Sequence, residues 1–596
     1  MPTSLRFLGL YLRPHRLSMS LLGAILAVTI AVQIVTPFIA ARFIDHATEG
    51  EPLRGLIALA VATMLLALVG QAFAVVETWV AERVSWDATN ALRIDLAAHL
   101  LRLDASFHNA HTQGELIERV DGDVGTLARF FSRFVVNVVG NGVLIAGILG
   151  FLWVIDWRIG LGLTAFVAIA LVAMLKIRKV ATPAWVAERQ TSADFYGFLG
   201  EYLAGLEDVR SSGHSAQAFV LRRFYELMRG WLKITTQAQM WGYAMVATSQ
   251  GVFALGMAFA LGVSGVLFHA GSLTLGTVFL VFRLADMLRG PTEQLRDEVQ
   301  DFQQADASLG RIQSLLAEQP RIVDGCGTPL PSGSLPVEFD RITFGYLPDA
   351  PILRDVSVRV EQGRVLGIVG RTGSGKTTLT RLVPRFLDPT AGIVRVGEVD
   401  VRDTRLAELR RRIGVVTQDV HLFDASLRDN LTLFADRSDR SDRSDRSDRS
   451  ERDAIPDDRL REVLDALDLG DWLRNLPQGL DTPLGAGGIG LSAGQMQVLS
   501  CARILLRDPD VVILDEASAR LDPATERLVH TALGRLLADR TGIIVAHRLS
   551  TLAYADDILV LVDGEVREHG PREVLAADPS SHFATLLRLD ALEIAR

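Results

Sequence analysis

The chain is 596 residues long, 49% hydrophobic and 22% charged, and 61 basic against 70 acidic residues give a formal net charge of −9. That length exceeds a usual single domain of roughly 100–200 residues, so two or more folding units are expected. The acidic balance excludes a general electrostatic nucleic-acid binder. The two cysteines, Cys326 and Cys501, lie in neither paired nor metal-ligand spacing, which speaks against a disulfide framework or a zinc site and for two reduced thiols.

The hydrophobic excess is concentrated in the first half. Apolar runs of spanning length, for which roughly 20 residues are needed, occur at about 17–41, 56–81, 134–155, 159–175, 241–268 and 273–289. The first is too long for the core of a cleavable signal peptide and reads as a membrane anchor. An even number of crossings returns the chain to its starting side. Arg6, Arg13 and Arg16 precede the first span, and Arg83, Arg93, Arg102, Lys176, Arg178, Lys179, Arg222 and Arg223 fall in the second and fourth connections. Two of the opposite connections, 156–158 and 269–272, are short and hold a single Lys/Arg residue between them, Arg158. Basic residues gather on the cytosolic side, so both termini and the second half are expected in the cytosol, with the protein multi-pass in the cytoplasmic (inner) membrane.

Connections 82–133 and 176–240 are too long for turns, carry apolar residues at a 3.6-residue period and contain a single proline, Pro183. They read as helices continuing out of the bilayer, to transmit force or to meet a cytosolic domain. Within or beside the spans, Gln33, Gln71, Glu77, Asn137, Asn141, Gln250, Arg283 and Asp286 are polar, and a charge at membrane depth is costly unless paired or facing water. Arg283 and Asp286, three apart on one helix, are expected to pair with each other in preference to lining a substrate path.

From about Pro336 short apolar strands alternate with helices and glycine turns, the pattern of an α/β domain. The strand Val365–Val369 runs into Gly370, Arg371, Thr372, Gly373, Ser374, Gly375, Lys376, Thr377 and Thr378, a G-x-x-x-x-G-K-[ST] phosphate loop in its strand–loop–helix setting. Small residues let successive backbone N–H groups converge on phosphates at a helix N-terminus. Lys376 is expected at the β/γ-phosphates and Thr377 on Mg²⁺. Residues 436–450 are five copies of Asp-Arg-Ser, continued by Glu451, Arg452 and Asp453, with no apolar residue. Such a tract, 436–453, buries no core and is expected to be a disordered insertion, more simply a neutral repeat expansion than a docking or phosphorylation segment. A second buried-type strand, Val511 to Leu514, ends in Asp515 and Glu516. Asp515 suits Mg²⁺, and Glu516 suits polarising the water that attacks the γ-phosphate.

Leu491, Ser492, Ala493, Gly494 and Gln495 resemble the signature that defines ATP-binding-cassette (ABC) proteins. Further matches follow in order: Tyr346 resembles the adenine-stacking aromatic, Gln418 the Q-loop glutamine that reaches Mg²⁺, Asp522 the D-loop aspartate and His547 the switch histidine. The resemblance extends over the membrane half, to the exporter type of the family: residues 111–127 and 205–219 are similar to its two intracellular loops, and 310–316 to the end of its sixth helix. It implies a six-span α-helical transmembrane domain over 1–320, a linker at 321–335 and an α/β P-loop nucleotide-binding domain over 336–596. It further implies coupling helices resting on the nucleotide-binding domains, ATP and Mg²⁺ as ligands, Glu516, His547 and Gln418 as catalytic residues, and alternating access. A small molecule, lipid or peptide is the implied cargo, and export the implied direction. The alternatives are an importer of metal-chelator complexes built on the same fold, or a regulatory ATPase that transports nothing.

The sequence departs from the family pattern at three places. Ala493 stands for the first glycine of the signature, Ala519 and Arg520 for a serine and an alanine in the D-loop, and Ala486 for an acidic residue before the signature. In the family these surfaces face a partner subunit, while Lys376, Gln418, Asp515, Glu516 and His547 are intact. The combination resembles one half of an asymmetric heterodimer and favours that assembly over a homodimer, the general default for a symmetric pair.

Overall fold

The computed structural model describes residues 9–347, 350–417, 420–434, 455–485, 490–515, 523–546 and 549–594. The chain divides into two units, one comprising Met1–Arg102 and His111–Gln319, the other Leu103–Ala110 and Pro320–Arg596.

The first unit is helical. It contains α1 (Arg16–Thr48) and α2 (Leu53–Arg102); the chain then passes through α3 (Ala105–Ala110), which belongs to the second unit. There follow α4 (Gln113–Ile117), α5 (Asp123–Arg133), α6 (Asn141–Ile155), α7 (Trp157–Ala204), α8 (Leu206–Ser211), α9 (His214–His269), α10 (Leu275–Met287) and α11 (Arg289–Ala317). The stretches Gly9–Thr48, Leu53–Arg102, Gln113–Ile155, Trp157–Ala204 and His214–His269 are long and apolar enough to cross a membrane. Among the described residues these are five, not the six expected. The apolar run expected at 273–289 is divided: α10 stops at Met287 after 13 residues, about 20 Å of rise, and α11 starts at Arg289. Pro291, in the first turn of α11, has no N–H to donate to the Met287 carbonyl, so the helical ladder is interrupted there.

The long connections are helical, as their periodicity indicates. The second helix continues to Arg102, the seventh to Ala204 through an internal Pro183, and the ninth begins at His214. The helix of the third span is interrupted by π-helical turns at Glu118–Gly122 and Phe134–Gly140. Apolar residues of α1, α6, α7, α9 and α10 form one core, in which Ile148, Leu152, Ile159 and Leu284 are fully buried. Polar pairs run in antiparallel order between the third-span helix and α11. Asp123 accepts from Arg311 Nε (2.9 Å), Arg133 meets Asp301 (3.4 Å), Asn137 Nδ2 donates to Glu298 Oε1 (2.7 Å), and Asn141 Nδ2 donates to Gln294 Oε1 (2.7 Å). Arg283 and Asp286 pair at 2.6 Å, as their spacing suggests.

The end of α1 is tied to the start of α10. Asp45 Oδ1 accepts the Gly276 N–H (2.7 Å), Asp45 Oδ2 accepts the Thr274 hydroxyl (2.8 Å), and Thr274 Oγ1 caps the helix by accepting from Thr277 N (3.1 Å). A Cβ on Gly276 would lie 2.1 Å from the Ala41 carbonyl oxygen, so a larger residue forces the two helices apart. Gly276→Val is expected to cost about 1–3 kcal/mol, as overpacking does. The check is tryptophan fluorescence on heating in detergent, where the variant should unfold several degrees below the native chain.

The second unit is α/β. Its first half holds β1 (Val337–Phe344), β2 (Leu353–Val360), β3 (Val365–Val369), α12 (Lys376–Leu382), β4 (Ala391–Val396), β5 (Val399–Asp400), α13 (Leu406–Arg412), β6 (Ile413–Val416), β7 (Ala425–Ser426) and α14 (Leu427–Thr432). Its second half holds α15 (Asp457–Ala466), α16 (Gly470–Arg474), β8 (Pro483–Leu484), α17 (Ala493–Arg507), β9 (Val511–Asp515), α18 (Pro523–Leu537), β10 (Thr541–Val545), β11 (Asp557–Val562), β12 (Glu565–Pro571), α19 (Arg572–Ala577) and α20 (His582–Ile594). Strands in the order β12-β11-β3-β10-β9-β6 form a sheet that is parallel except at its β12 edge, and β2-β1-β4-β5 form an antiparallel sheet. Strand alternation divides the core. Leu366, Ile368, Val511 and Ile513 face the antiparallel sheet and α12, whereas Val365, Val369, Val512 and Leu514 face α14 to α18.

The segment expected as a linker is laid along this unit. Gly327 N and Thr328 N donate to the Asp403 carbonyl (2.9 and 3.0 Å), Leu330 N donates to Glu408 Oε1 (3.2 Å), and Leu335 is buried. Its first residue, Arg321, donates its backbone N–H to Asp104 Oδ2 at 2.7 Å. The loop stretch that belongs to the second unit is therefore Leu103–Ala110, whereas 111–127, the stretch with the family-like pattern, lies in the first. Cys326 is exposed and Cys501 buried, both free thiols, and burial pushes the Cys501 thiol up to about 12.

Candidate nucleotide site

Every residue of β3 is buried, which fixes the strand at the centre of the parallel sheet and delivers the chain at its C-terminal edge as the 370–375 loop. Ligands of open α/β sheets bind outside that edge. Gly375 is left-handed, with φ +97°, and a Cβ there would sit 2.7 Å from Leu353 Cδ2, so glycine is required by both conformation and space. Lys376 opens α12 and is 5% exposed; its Nζ donates to the Gly370 carbonyl (2.8 Å) and the Arg371 carbonyl (3.0 Å), curling back over the loop. Arg371, Thr372 and Gly373 form the exposed tip, while Ser374 and Thr378 are buried beneath it.

Two observations test whether this cradle fits a polyphosphate with a divalent cation. Ser374 Oγ is buried with no hydrogen-bond partner among the described residues, a hydroxyl left for a group that enters the loop. Thr377 Oγ1 donates to Asp515 Oδ1 at 3.1 Å, which sets a hydroxyl and a carboxylate oxygen side by side, the hard donors that Mg²⁺ takes. Asp515 reaches that place because β9 ends there, in register with Val545 of β10. The residues fit both ligands.

Tyr346 is half-exposed and packs edge-on against Phe344 with centroids 5.1 Å apart, leaving ring surface available for stacking. Ser492 caps α17 through a capping box in which Ser492 Oγ accepts from Gln495 N (3.2 Å) and Gln495 Oε1 accepts from Ser492 N (3.0 Å). Ala493 then begins the helix and Gly494 is buried in its first turn. Gln418, Ala486, Glu516, Ala519, Arg520, Asp522 and His547 lie outside the described residues, as does the whole repeat tract 436–453.

Sequence reasoning missed two polar nodes. Arg428 on α14 joins Asp457 at the start of α15 (Nη2 to Oδ2, 3.1 Å) and Asp481 (3.2 Å). Arg503 on α17 bonds to Asn430 and to the His421 carbonyl. The latter's signal was a lone charged residue, Arg503, inside the otherwise uncharged stretch 498–506.

Fold and loop together define a P-loop nucleotidase fused in one chain to a bundle of membrane-length helices. Residues 353–519 match the ABC transporter family, and residues 19–292 match the ABC transporter transmembrane region. The chain is 31% identical to an ATP-dependent lipid A-core flippase of Syntrophus aciditrophicus over 86% of its length and 81% of the relative's. It is 29% identical to a putative multidrug export ATP-binding/permease protein of Staphylococcus aureus, over 85% and 84%. A solved bacterial Atm1-family ABC exporter with ATP bound shares the fold at a TM-score of 0.76 and 24% identity, over 97% of this chain and 98% of that one. The chain belongs to the ABC transporter family, as a half-transporter of exporter architecture that hydrolyses ATP to drive transport across a membrane.

Proposed function

We propose that two such half-transporters pair in the cytoplasmic membrane, with their nucleotide-binding domains in the cytosol, and export a lipid or lipophilic small molecule by alternating access. The observation that carries the reading is a phosphate loop, with Thr377 held 3.1 Å from Asp515, in one chain with membrane-length helices. In this reading α10 and the start of α11 together make the sixth crossing, since their combined length exceeds the roughly 20 residues a span needs. Tyr346 stacks on adenine, the N–H groups of the Gly370–Thr378 loop cradle the phosphates, and Lys376 meets the β/γ-phosphates. Thr377, Gln418 and Asp515 hold Mg²⁺, which supplies charge neutralisation when bound. Glu516 orients and polarises the attacking water, and His547 contacts the γ-phosphate. Ser492, Ala493, Gly494 and Gln495 close on ATP held by the other chain.

The pair is a heterodimer in this proposal, because Ala493, Ala519, Arg520 and Ala486 alter the surface that faces the partner while the chain's own hydrolytic residues are intact. The names of the flippase and multidrug relatives support export and an amphipathic cargo. Two measurements test the reading. Inside-out vesicles containing the protein should accumulate a fluorescent lipid or lipophilic dye on adding ATP, and uptake in the opposite orientation would overturn export. The chain purified alone should hydrolyse ATP weakly, and robust transport-coupled hydrolysis by a homodimer would overturn the heterodimer.

A further inference from the structure

We infer that Arg503 is the positioning residue that keeps the signature end of α17, Ser492–Gln495, in register with the chain segment that leaves β6. The inference rests on the proposed reading that the signature of one chain closes on ATP held by the other. The capping box fixes the first turn of α17, and Arg503 lies about 15 Å further down the same helix. There its guanidinium makes three bonds: Nε to the Asn430 carbonyl (2.7 Å), Nη2 to Asn430 Oδ1 (3.1 Å) and Nη1 to the His421 carbonyl (3.0 Å).

None of these acceptors is a carboxylate. Burial lowers the guanidinium pKa, no carboxylate among the described residues pairs with it, and drawing a charge partly out of water is costly. A side chain serving packing alone would not carry that cost. Its main partner is equally committed. Asn430 is 1% exposed; its Oδ1 also accepts from Phe423 N (2.9 Å), and its Nδ2 donates to the carbonyls of Phe423 (2.9 Å), Ser426 (3.1 Å) and Ala425 (3.3 Å). Arg503 therefore fastens α17 at once to α14 and to the His421–Ser426 segment.

The rest of the helix is anchored by Val498, Leu499, Ala502 and Ile504 in the apolar core. Apolar burial is non-directional, so it resists separation of the helix more than it resists sliding or rolling by part of a turn. A planar fork with three acceptors fixes both motions. Because a helix is stiff over this length, a shift at Arg503 reappears at Ser492.

The test compares Arg503→Met, Arg503→Lys and Ser492→Ala with the native chain, each assembled with the partner subunit in nanodiscs. It reads KM and kcat for Mg-ATP hydrolysis and, separately, the affinity for the fluorescent nucleotide TNP-ATP. Arg503→Met should raise KM about tenfold and Arg503→Lys by less, since lysine keeps the charge and loses the fork. TNP-ATP affinity should stay within about twofold of native, because the Gly370–Thr378 loop is carried by β3 and α12. A smaller folded fraction would lower kcat and leave KM in place. If Ser492→Ala raises KM and Arg503→Met does not, the inference is overturned while the signature reading stands. If neither variant moves KM, the signature reading fails and the inference falls with it.

Discussion

Glu516→Gln should bind ATP with near-native affinity and turn it over about 10²–10⁴ times more slowly, the range that a positioned general base contributes. The substitution keeps the size of the side chain and removes the carboxylate proposed to polarise the attacking water. The proposed phosphate grip resides elsewhere, in the loop between β3 and α12, and the preceding acid in the sequence, Asp515, is engaged with Thr377 at 3.1 Å. Nucleotide binding and hydrolysis should therefore separate, and the variant should accumulate in an ATP-bound state. Single-turnover hydrolysis alongside equilibrium ATP binding checks this, with the partner subunit present. Undiminished steady-state hydrolysis would remove Glu516 from the catalytic role.

Lys376→Ala should act on the other limb. The ammonium is 5% exposed and directed at the Gly370 and Arg371 carbonyls, poised at the mouth of the phosphate loop. A hydrogen bond to a charged group contributes about 1.5–3 kcal/mol, so its loss should weaken ATP binding roughly 10- to 100-fold. The two carbonyls would also lose a donor, which adds to the effect. Titration with a fluorescent nucleotide reads the affinity directly. A variant with native affinity and slow turnover would place Lys376 with the hydrolytic groups instead of the binding ones.

Much of this site could be read from contiguous residues. A phosphate loop works through successive backbone N–H groups, so its glycines, Lys376 and Thr377 must be neighbours in sequence, and the apolar strands β3 and β9 announce themselves as short buried runs. Span length is likewise a local quantity. The expectation of six crossings nonetheless met a helix break that Pro291 signals, because mean apolarity over 273–289 hides an interruption of the hydrogen-bond ladder. The stretch that resembles the family's first intracellular loop, 111–127, lies in the first unit, and Leu103–Ala110, just before it, belongs to the second, a division that depends on packing and not on the charge pattern.

The division of labour, a membrane-spanning half followed by an ATP-hydrolysing half, is written in local length, period and spacing. How the elements are pinned to one another within each unit follows from the fold. Asp45 finds Gly276 at a separation of 231 positions, Asp123 finds Arg311 at 188, and Arg503 finds Asn430 at 73. Directional polar bonds depend on where the fold brings two distant side chains, and no local pattern encodes that meeting.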